Sequence, residues 1–218
     1  MGSSIYKKYP HTPHLPWTLA VTDDEILSSV NHFVGKEIVV TEKLDGENCN
    51  MYLDHIHARS IDSRSHPSRN FVKNLWGRVR SDIPPGMRIC GENLYATHSI
   101  HYSGLTNYLQ VFNIWQGDEC MSWEETVVWC NLLGLEHVPV LYHGIWDEDK
   151  VKSCWTGKST QGGDQEGYVV RIADRFQAED FGRSLAKFVR KGHVQTSDHW
   201  LDEAIVPNQL KGPNDQVA

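Results

Sequence analysis

A lysine, an aspartate two residues on and then a glycine, Lys43-Leu44-Asp45-Gly46-Glu47, follow a run that reads as a strand, Glu37-Ile38-Val39-Val40-Thr41-Glu42. A strand end holds an amine rigidly, and a glycine lets the backbone bend closely around a small ligand. That is the placement of a nucleophilic lysine. An attacking amine must be neutral, and from an unperturbed pKa of about 10.4 that form costs roughly 4 to 5 kcal/mol near pH 7. Neighbouring cations, a metal ion or burial must supply the shift. A catalytic Lys43 therefore demands basic residues, metal-binding carboxylates and a nucleotide pocket elsewhere in the chain. Taken alone, the same tetrapeptide also describes an ordinary Asp-Gly turn between strands.

Four further segments carry the complementary chemistry. Gly91-Glu92-Asn93-Leu94-Tyr95 ends a strand with a carboxylate suited to sugar hydroxyls. Val111-Phe112-Asn113-Ile114-Trp115 offers an aromatic face on which a base can stack. Glu166-Gly167-Tyr168-Val169-Val170 opens a strand with a carboxylate suited to a hard divalent cation. Lys187-Phe188-Val189-Arg190-Lys191 brings cations for phosphates. Each segment also has a plain reading as a solvated or core residue, so their order and spacing together carry the argument.

The elements that must position these groups follow from periodicity and punctuation. The first twenty residues, with Tyr9, Pro10, Pro13, Pro16 and Trp17, read as an extended arm packed on the body. Residues 21–200 read as the main domain and 201–218 as a polar C-terminal tail with little to pack. Asp23 to Phe33 is expected as a short helix, Glu37 to Lys43 as a strand, and Asn50 to Leu53 with Ile56 to Ser60 as a hairpin. Phe71, Val72, Leu75, Trp76 and Val79 form a helical stripe within Ser68 to Arg80. Arg88 to Glu92 and Tyr108 to Trp115 read as strands. Ser122-Trp123-Glu124-Glu125 is a capping box whose helix stops at Gly134. Pro139 to Tyr142 is a short strand and Asp147 to Cys154 a short helix. Glu166 to Ile172 and Leu185 to Val189 are the last strands, with a brief helix after Ser197. Strands and helices do not alternate strictly, which predicts an α+β fold of antiparallel sheets flanked by helices.

The 218 residues suffice for one sizeable core, and 39% hydrophobic with 22% charged residues is globular composition. No apolar run approaches a membrane span, the N-terminal stretch lacks a signal-peptide core, and Tyr6 breaks a myristoylation pattern. Five scattered cysteines without a CxxC pair read as reduced thiols in a cytoplasmic protein. A net charge of −7 argues against a general nucleic-acid coat protein, but its distribution is uneven. Arg59, Arg64, Arg69, Lys73, Arg78 and Arg80 face a single acid, Asp62, while acids gather at 118–125 and 147–149. One face can therefore meet a polyanion.

In order and wording, Lys43-Leu44-Asp45-Gly46, Arg59, Gly91-Glu92, Phe112-Asn113-Ile114, Glu166-Gly167-Tyr168-Val169 and Lys187 resemble the motifs of covalent nucleotidyltransferases. That superfamily contains RNA ligases, DNA ligases and mRNA capping enzymes. The resemblance runs from about Tyr9 to Trp200 and is nearest to ATP-dependent RNA ligases of the short stand-alone bacterial and phage kind. It implies a nucleotidyltransferase domain in which Lys43 takes AMP from ATP and passes it to a 5′-phosphate, which a 3′-hydroxyl then attacks. It further implies Glu92 on the ribose, Phe112 on the adenine, Glu166 on Mg2+ (or Mn2+) and Lys187 on the α-phosphate. Asp45 joins Lys43 and Lys187 in the catalytic set, and Glu47, Asn48 and Arg59 join the nucleotide-binding set. The pocket arginine is Arg59 or Arg64, with Arg59 preferred as the end of the hairpin's second strand. The second cation expected near Lys187 must come from Arg190, Lys191 or nowhere.

Implied partners are RNA ends, including those of a nicked duplex, and an end-healing kinase or phosphatase. No membrane is implied. The short stretch after Trp200 implies a minimal catalytic domain, with the 64–80 segment or a partner supplying strand contacts. A GTP-dependent capping enzyme, a DNA ligase and a silent nucleic-acid-binding module remain as rivals. Thr156-Gly157-Lys158-Ser159-Thr160 imitates the end of a P-loop but has Lys152 where glycine is needed. The histidines, including His55, His57, His98 and His101, lack partners at zinc spacing. His101 and Tyr102 remain candidates for the pocket lining, and Trp76 and Trp129 read as core.

Overall fold

The computed structural model describes residues 6–20, 23–192 and 204–212. Its strands and helices run β1 (Glu37–Lys43), β2 (Glu47–Met51), β3 (Ile56–His57), α1 (Asn70–Val79), β4 (Met87–Asn93), β5 (Leu109–Gln116), β6 (Glu119–Cys120) and α2 (Trp123–Leu133). They continue with β7 (Glu136–His137), β8 (Val140–Ile145), α3 (Glu148–Ser153), β9 (Gly167–Ile172), β10 (Phe176–Gln177), α4 (Phe181–Ser184) and β11 (Leu185–Val189). Four strands form one antiparallel sheet in the order β11-β9-β1-β8. The second sheet follows β10-β6-β5-β4-β2-β3, with β7 added parallel to β5. The expected α+β architecture of antiparallel sheets with flanking helices is what the chain forms.

Local chemistry explains the element ends. Ser122 Oγ accepts from the Glu125 N–H, and the Glu125 carboxylate accepts from the Ser122 N–H, so both ends of the capping box are made. Gly134 then closes α2 at a φ of 63°, a left-handed conformation that glycine adopts without Cβ strain. In α1, Val72, Leu75 and Val79 recur at helical spacing and bury against the second sheet's Met51, Met87 and Ile89. Ile38, Val40, Tyr168, Val170, Ala186 and Phe188 come from the first sheet and meet Cys90 and Trp115 of the second in one shared core. All five cysteines are buried free thiols. Among the described residues no helix is long and apolar enough to cross a membrane.

Three expectations change. Residues 23–33 do not form a helix; only Asn31–Phe33 makes a single 3₁₀ turn. The preceding backbone is spent on the arm instead, with His14 N–H donating to Glu25 O and Leu27 N–H to His14 O. The hairpin begins earlier and ends sooner than expected, so Arg59 lies just beyond β3 rather than at a strand end. The C-terminal stretch is not idle where it is described. Asn208 is 2% exposed, its Oδ1 accepts from the Tyr102 N–H, and its Nδ2 donates to Leu94 O. The brief helix expected after Ser197 begins outside the described residues. The arm itself is extended: Lys187 N–H donates to Pro13 O and Leu15 N–H to Lys187 O, alongside β11.

Candidate active site

Strand register builds the cleft. Across β1, β9 and β11 the pairs Lys43–Gly167, Thr41–Val169, Val39–Arg171, Lys187–Val169 and Leu185–Arg171 lie opposite one another. Alternation along each strand then puts Thr41, Lys43, Val169, Arg171, Leu185 and Lys187 on one face. That face lines a cleft of about 400 Å³, within the range of small-molecule sites. The second sheet closes it with Glu47, Asn48, Glu92, Phe112 and Asn113, where Asn48 and Glu92 are cross-strand partners. Two glycines permit the approach of these walls. A Cβ on Gly46 would stand 2.5 Å from Asn93 O, and one on Gly167 would collide with Phe188 O.

At the floor, Lys43 Nζ is 2.6 Å from both carboxylate oxygens of Glu166, which is fully buried. Burial pushes the Lys43 ammonium down, but Glu166, Glu92 and Asp45 prevail and its pKa is raised. The expected depression of the Lys43 pKa is therefore not a property of the protein alone, because three carboxylates surround the amine. Burial in turn pushes Glu166 up to about 7, against the pull of Lys43. Glu92 is pushed up to about 8 by burial, opposed by Lys43 and reinforced by Glu166 and Asp45. Glu92 Oε1 accepts from the Gly46 N–H at 3.2 Å.

Asp45 is held by backbone and hydroxyl donors. Its Oδ2 accepts from Ser99 N–H at 2.8 Å, Ser99 Oγ–H at 2.6 Å and Ile100 N–H at 3.0 Å. The Asp45 N–H donates to the Tyr102 hydroxyl at 2.8 Å. Those bonds are the geometry of a positioning group. Glu47 is clamped by Arg69, whose Nε donates to Oε2 at 2.7 Å and whose Nη2 donates to Oε1. Asn48 Oδ1 accepts from Asn50.

Arg59 lines the cleft and Arg64 does not; Arg59 Nη2 donates to Pro10 O at 2.8 Å. Phe112 lines the cleft and lies edge-on to Tyr9, ring centroids 5.3 Å apart. Lys187 Nζ donates to Asp24 Oδ2 at 2.7 Å, and its pKa is lowered by burial and by Lys43. Neither Arg190 nor Lys191 lines the cleft, so Arg59 and Arg171 are its further cations. His98 lines it, whereas His101 and Tyr102 do not.

Sequence reasoning missed three contributors. Arg171 is 2% exposed and donates to Asn113 Oδ1 and Met121 O, and Asn113 donates to the Tyr9 hydroxyl. An arginine inside the apolar run of β9 was the available signal. Asp24 carried none, because its contact with Lys187 spans most of the chain. Glu42 is 2% exposed and lines the cleft; Thr160 N–H and Oγ–H donate to its Oε2, while Oε1 has no hydrogen-bond partner. The loop that imitated a P-loop thus serves to hold Glu42.

Among the described residues no three His, Cys, Asp or Glu side chains form a metal-binding group. The carboxylates that line the cleft beside Lys43 are Glu166, Glu92 and Asp45, oxygen donors of the kind a hard divalent cation takes.

A family model described as RNA ligase matches residues 36–189. The chain belongs to the RNA ligase family. Among solved structures, two mutants of Naegleria gruberi RNA ligase with ATP and Mn are 16% identical. Each aligns over 92% of this chain and 59% of its own, with TM-scores of 0.56 and 0.54. A third, with AMP and Mn, is 16% identical over 79% of this chain and 53% of its own, with a TM-score of 0.51. These likenesses show that the fold is shared with those RNA ligases. The family member described here spans less than two thirds of the length of those chains. The comparison with curated proteins gave no match.

Proposed function

We propose that this chain is an ATP-dependent RNA ligase that joins a 5′-phosphate to a 3′-hydroxyl through a lysyl-AMP intermediate. The observation that carries the reading is Lys43 Nζ at 2.6 Å from Glu166, on the floor of a cleft shared with Glu92, Phe112, Arg59 and Lys187. In the first step the Lys43 nitrogen bonds to the α-phosphorus of ATP, the bond to the bridging oxygen breaks, and pyrophosphate leaves. Nζ loses one proton to Glu166, the carboxylate in contact with it, and a second to solvent or the departing pyrophosphate as the P–N bond forms. In the second step an oxygen of the strand's 5′-phosphate attacks the same phosphorus. The P–N bond breaks and the lysine nitrogen takes a proton back. In the third the 3′-hydroxyl oxygen displaces AMP and loses its proton.

Phe112 provides the face for the base, Glu92 the acceptor for ribose hydroxyls, and Lys187 and Arg59 the charge for phosphates. Asp45 fixes the turn after Lys43. A Mg2+ (or Mn2+) ion held at Glu166 would set positive charge against the phosphate and lower the pKa of Lys43. Glu42 favours ATP over GTP, because an unpartnered carboxylate oxygen accepts from the adenine amino group and meets only an acceptor at the guanine carbonyl. We also propose a cytoplasmic setting, consistent with five unpaired thiols, nicked RNA as one substrate, and an end-healing kinase or phosphatase upstream. The arm of residues 1–20, the ligase domain of 21–200 and the short segment 201–218 complete the proposed organisation.

The test is incubation with a divalent cation and ATP or GTP labelled at the α-phosphate, followed by a denaturing gel. Label from ATP, absent in Lys43→Ala, is expected. Label from GTP alone would replace ligase with capping chemistry, and no label from either would favour a silent module.

A further inference from the structure

Behind the wall formed by Glu47 and Asn48 lies a second cavity of about 230 Å³ that the nucleotide reading leaves unused. Three cations line it, Arg64, Arg69 and Lys73, against one acid, Glu47. Arg64 is exposed and its side chain makes no hydrogen bond or ion pair among the described residues. Among the described residues Lys73 Nζ donates only to Ser65 Oγ, at 2.9 Å. Glu47 grips Arg69 through Nε and Nη2, and Arg64 O accepts from Nη1. The guanidinium is thereby oriented while N–H groups on Nη1 and Nη2 stay available. Two positive charges remain uncompensated in a concave site, the arrangement that recruits a phosphate.

We infer that this cavity holds the 5′-terminal phosphate of the RNA strand on Arg64, Arg69 and Lys73. The inference rests on the ligase reading and deepens it. Glu47 and Asn48 line both cavities, so a phosphate here is the neighbour of the AMP on Lys43. The β- and γ-phosphates of ATP share this chemistry, and the experiment separates the two sources.

The Arg64→Ala/Lys73→Ala variant of the full chain is compared with wild type in two single-turnover reactions, lysyl-AMP formation from labelled ATP and AMP transfer from isolated protein–AMP to a 5′-phosphorylated RNA oligomer. Lysyl-AMP formation is expected to persist within about twofold, while transfer falls by about tenfold or more and recovers at higher RNA concentration. Unchanged transfer overturns the inference. A parallel loss of both reactions, with the melting temperature kept, also overturns it and gives the cavity to ATP. Wild type that forms no lysyl-AMP sinks the ligase reading instead. Binding then decides the cavity by itself: wild type should prefer the 5′-phosphorylated over the 5′-hydroxyl oligomer, and the variant should not.

Discussion

The two ends of the cleft are built differently. At the Lys43 end, the turn that follows the lysine is fastened by Asp45 to residues 99–102. That loop is fastened in turn by Asn208, which bonds Tyr102, Leu94 and Tyr95. The links are buried or part-buried hydrogen bonds to backbone or a hydroxyl, so breaking one leaves an unsatisfied group. At the Lys187 end the ammonium is held by Asp24, which also reaches His11 and His14. An acid there occupies a cation that a phosphate would use. One end is preorganised, while at the other a carboxylate already occupies the Lys187 ammonium.

Asp45→Ala attacks the fixed end and should have the largest effect. It strands the Ser99 and Ile100 N–H groups, at a cost of about 3 kcal/mol. In calorimetry the melting temperature should fall by roughly 6–12 °C. Lysyl-AMP formation should slow by about a hundredfold as the turn after Lys43 loosens. Asp45→Asn keeps an acceptor and should restore most of the stability. An alanine variant that melts like wild type would remove the fixed end from the comparison.

Asp24→Asn frees the other end, and the effect should be smaller and opposite in sign. Without an internal competitor, ATP affinity measured by calorimetric titration should tighten by about three- to tenfold. Weaker binding would make Asp24 a support for Lys187 rather than a competitor.

The smallest effect belongs to pH. Glu92 faces Lys43, Glu166, Asp45 and the Gly46 N–H, and its carboxyl is raised from an ordinary 4.5 to about 8. The folded state prefers its protonated form, so the stability it contributes is complete below about pH 4.5 and is lost as pH climbs through 8. The melting temperature of wild type should therefore decline across that window, and Glu92→Gln should decline less, by roughly a few degrees. Equal slopes would contradict the burial of that carboxyl.

The fixed end was largely legible in the sequence because its elements are local. The β-branched run of β1, the Lys-Leu-Asp-Gly turn and the Ser122–Glu125 capping box each declare themselves within a few residues. The Lys187 end was not, because an extended arm and segment 23–27 owe their shape to partners far along the chain. Asp24 meets Lys187 across 163 positions, and propensity alone made the residues after Asp23 a helix. Asn208 was illegible for the same reason, since a polar residue in a short terminal stretch gives no local sign of burial. The motif residues line one cleft because strand alternation fixes which of them share a face. Their charges were not: the raised pKa of Lys43 depends on three carboxylates that meet only in the fold.

Peptide mapping by mass spectrometry, after incubation of the full chain with ATP and magnesium, tests the central claim most directly. AMP on the peptide that contains Lys43, attached at that lysine and lost at acid pH as a phosphoramidate should be, is the predicted result. AMP on Lys187 or any other residue, with Lys43 unmodified, would contradict it.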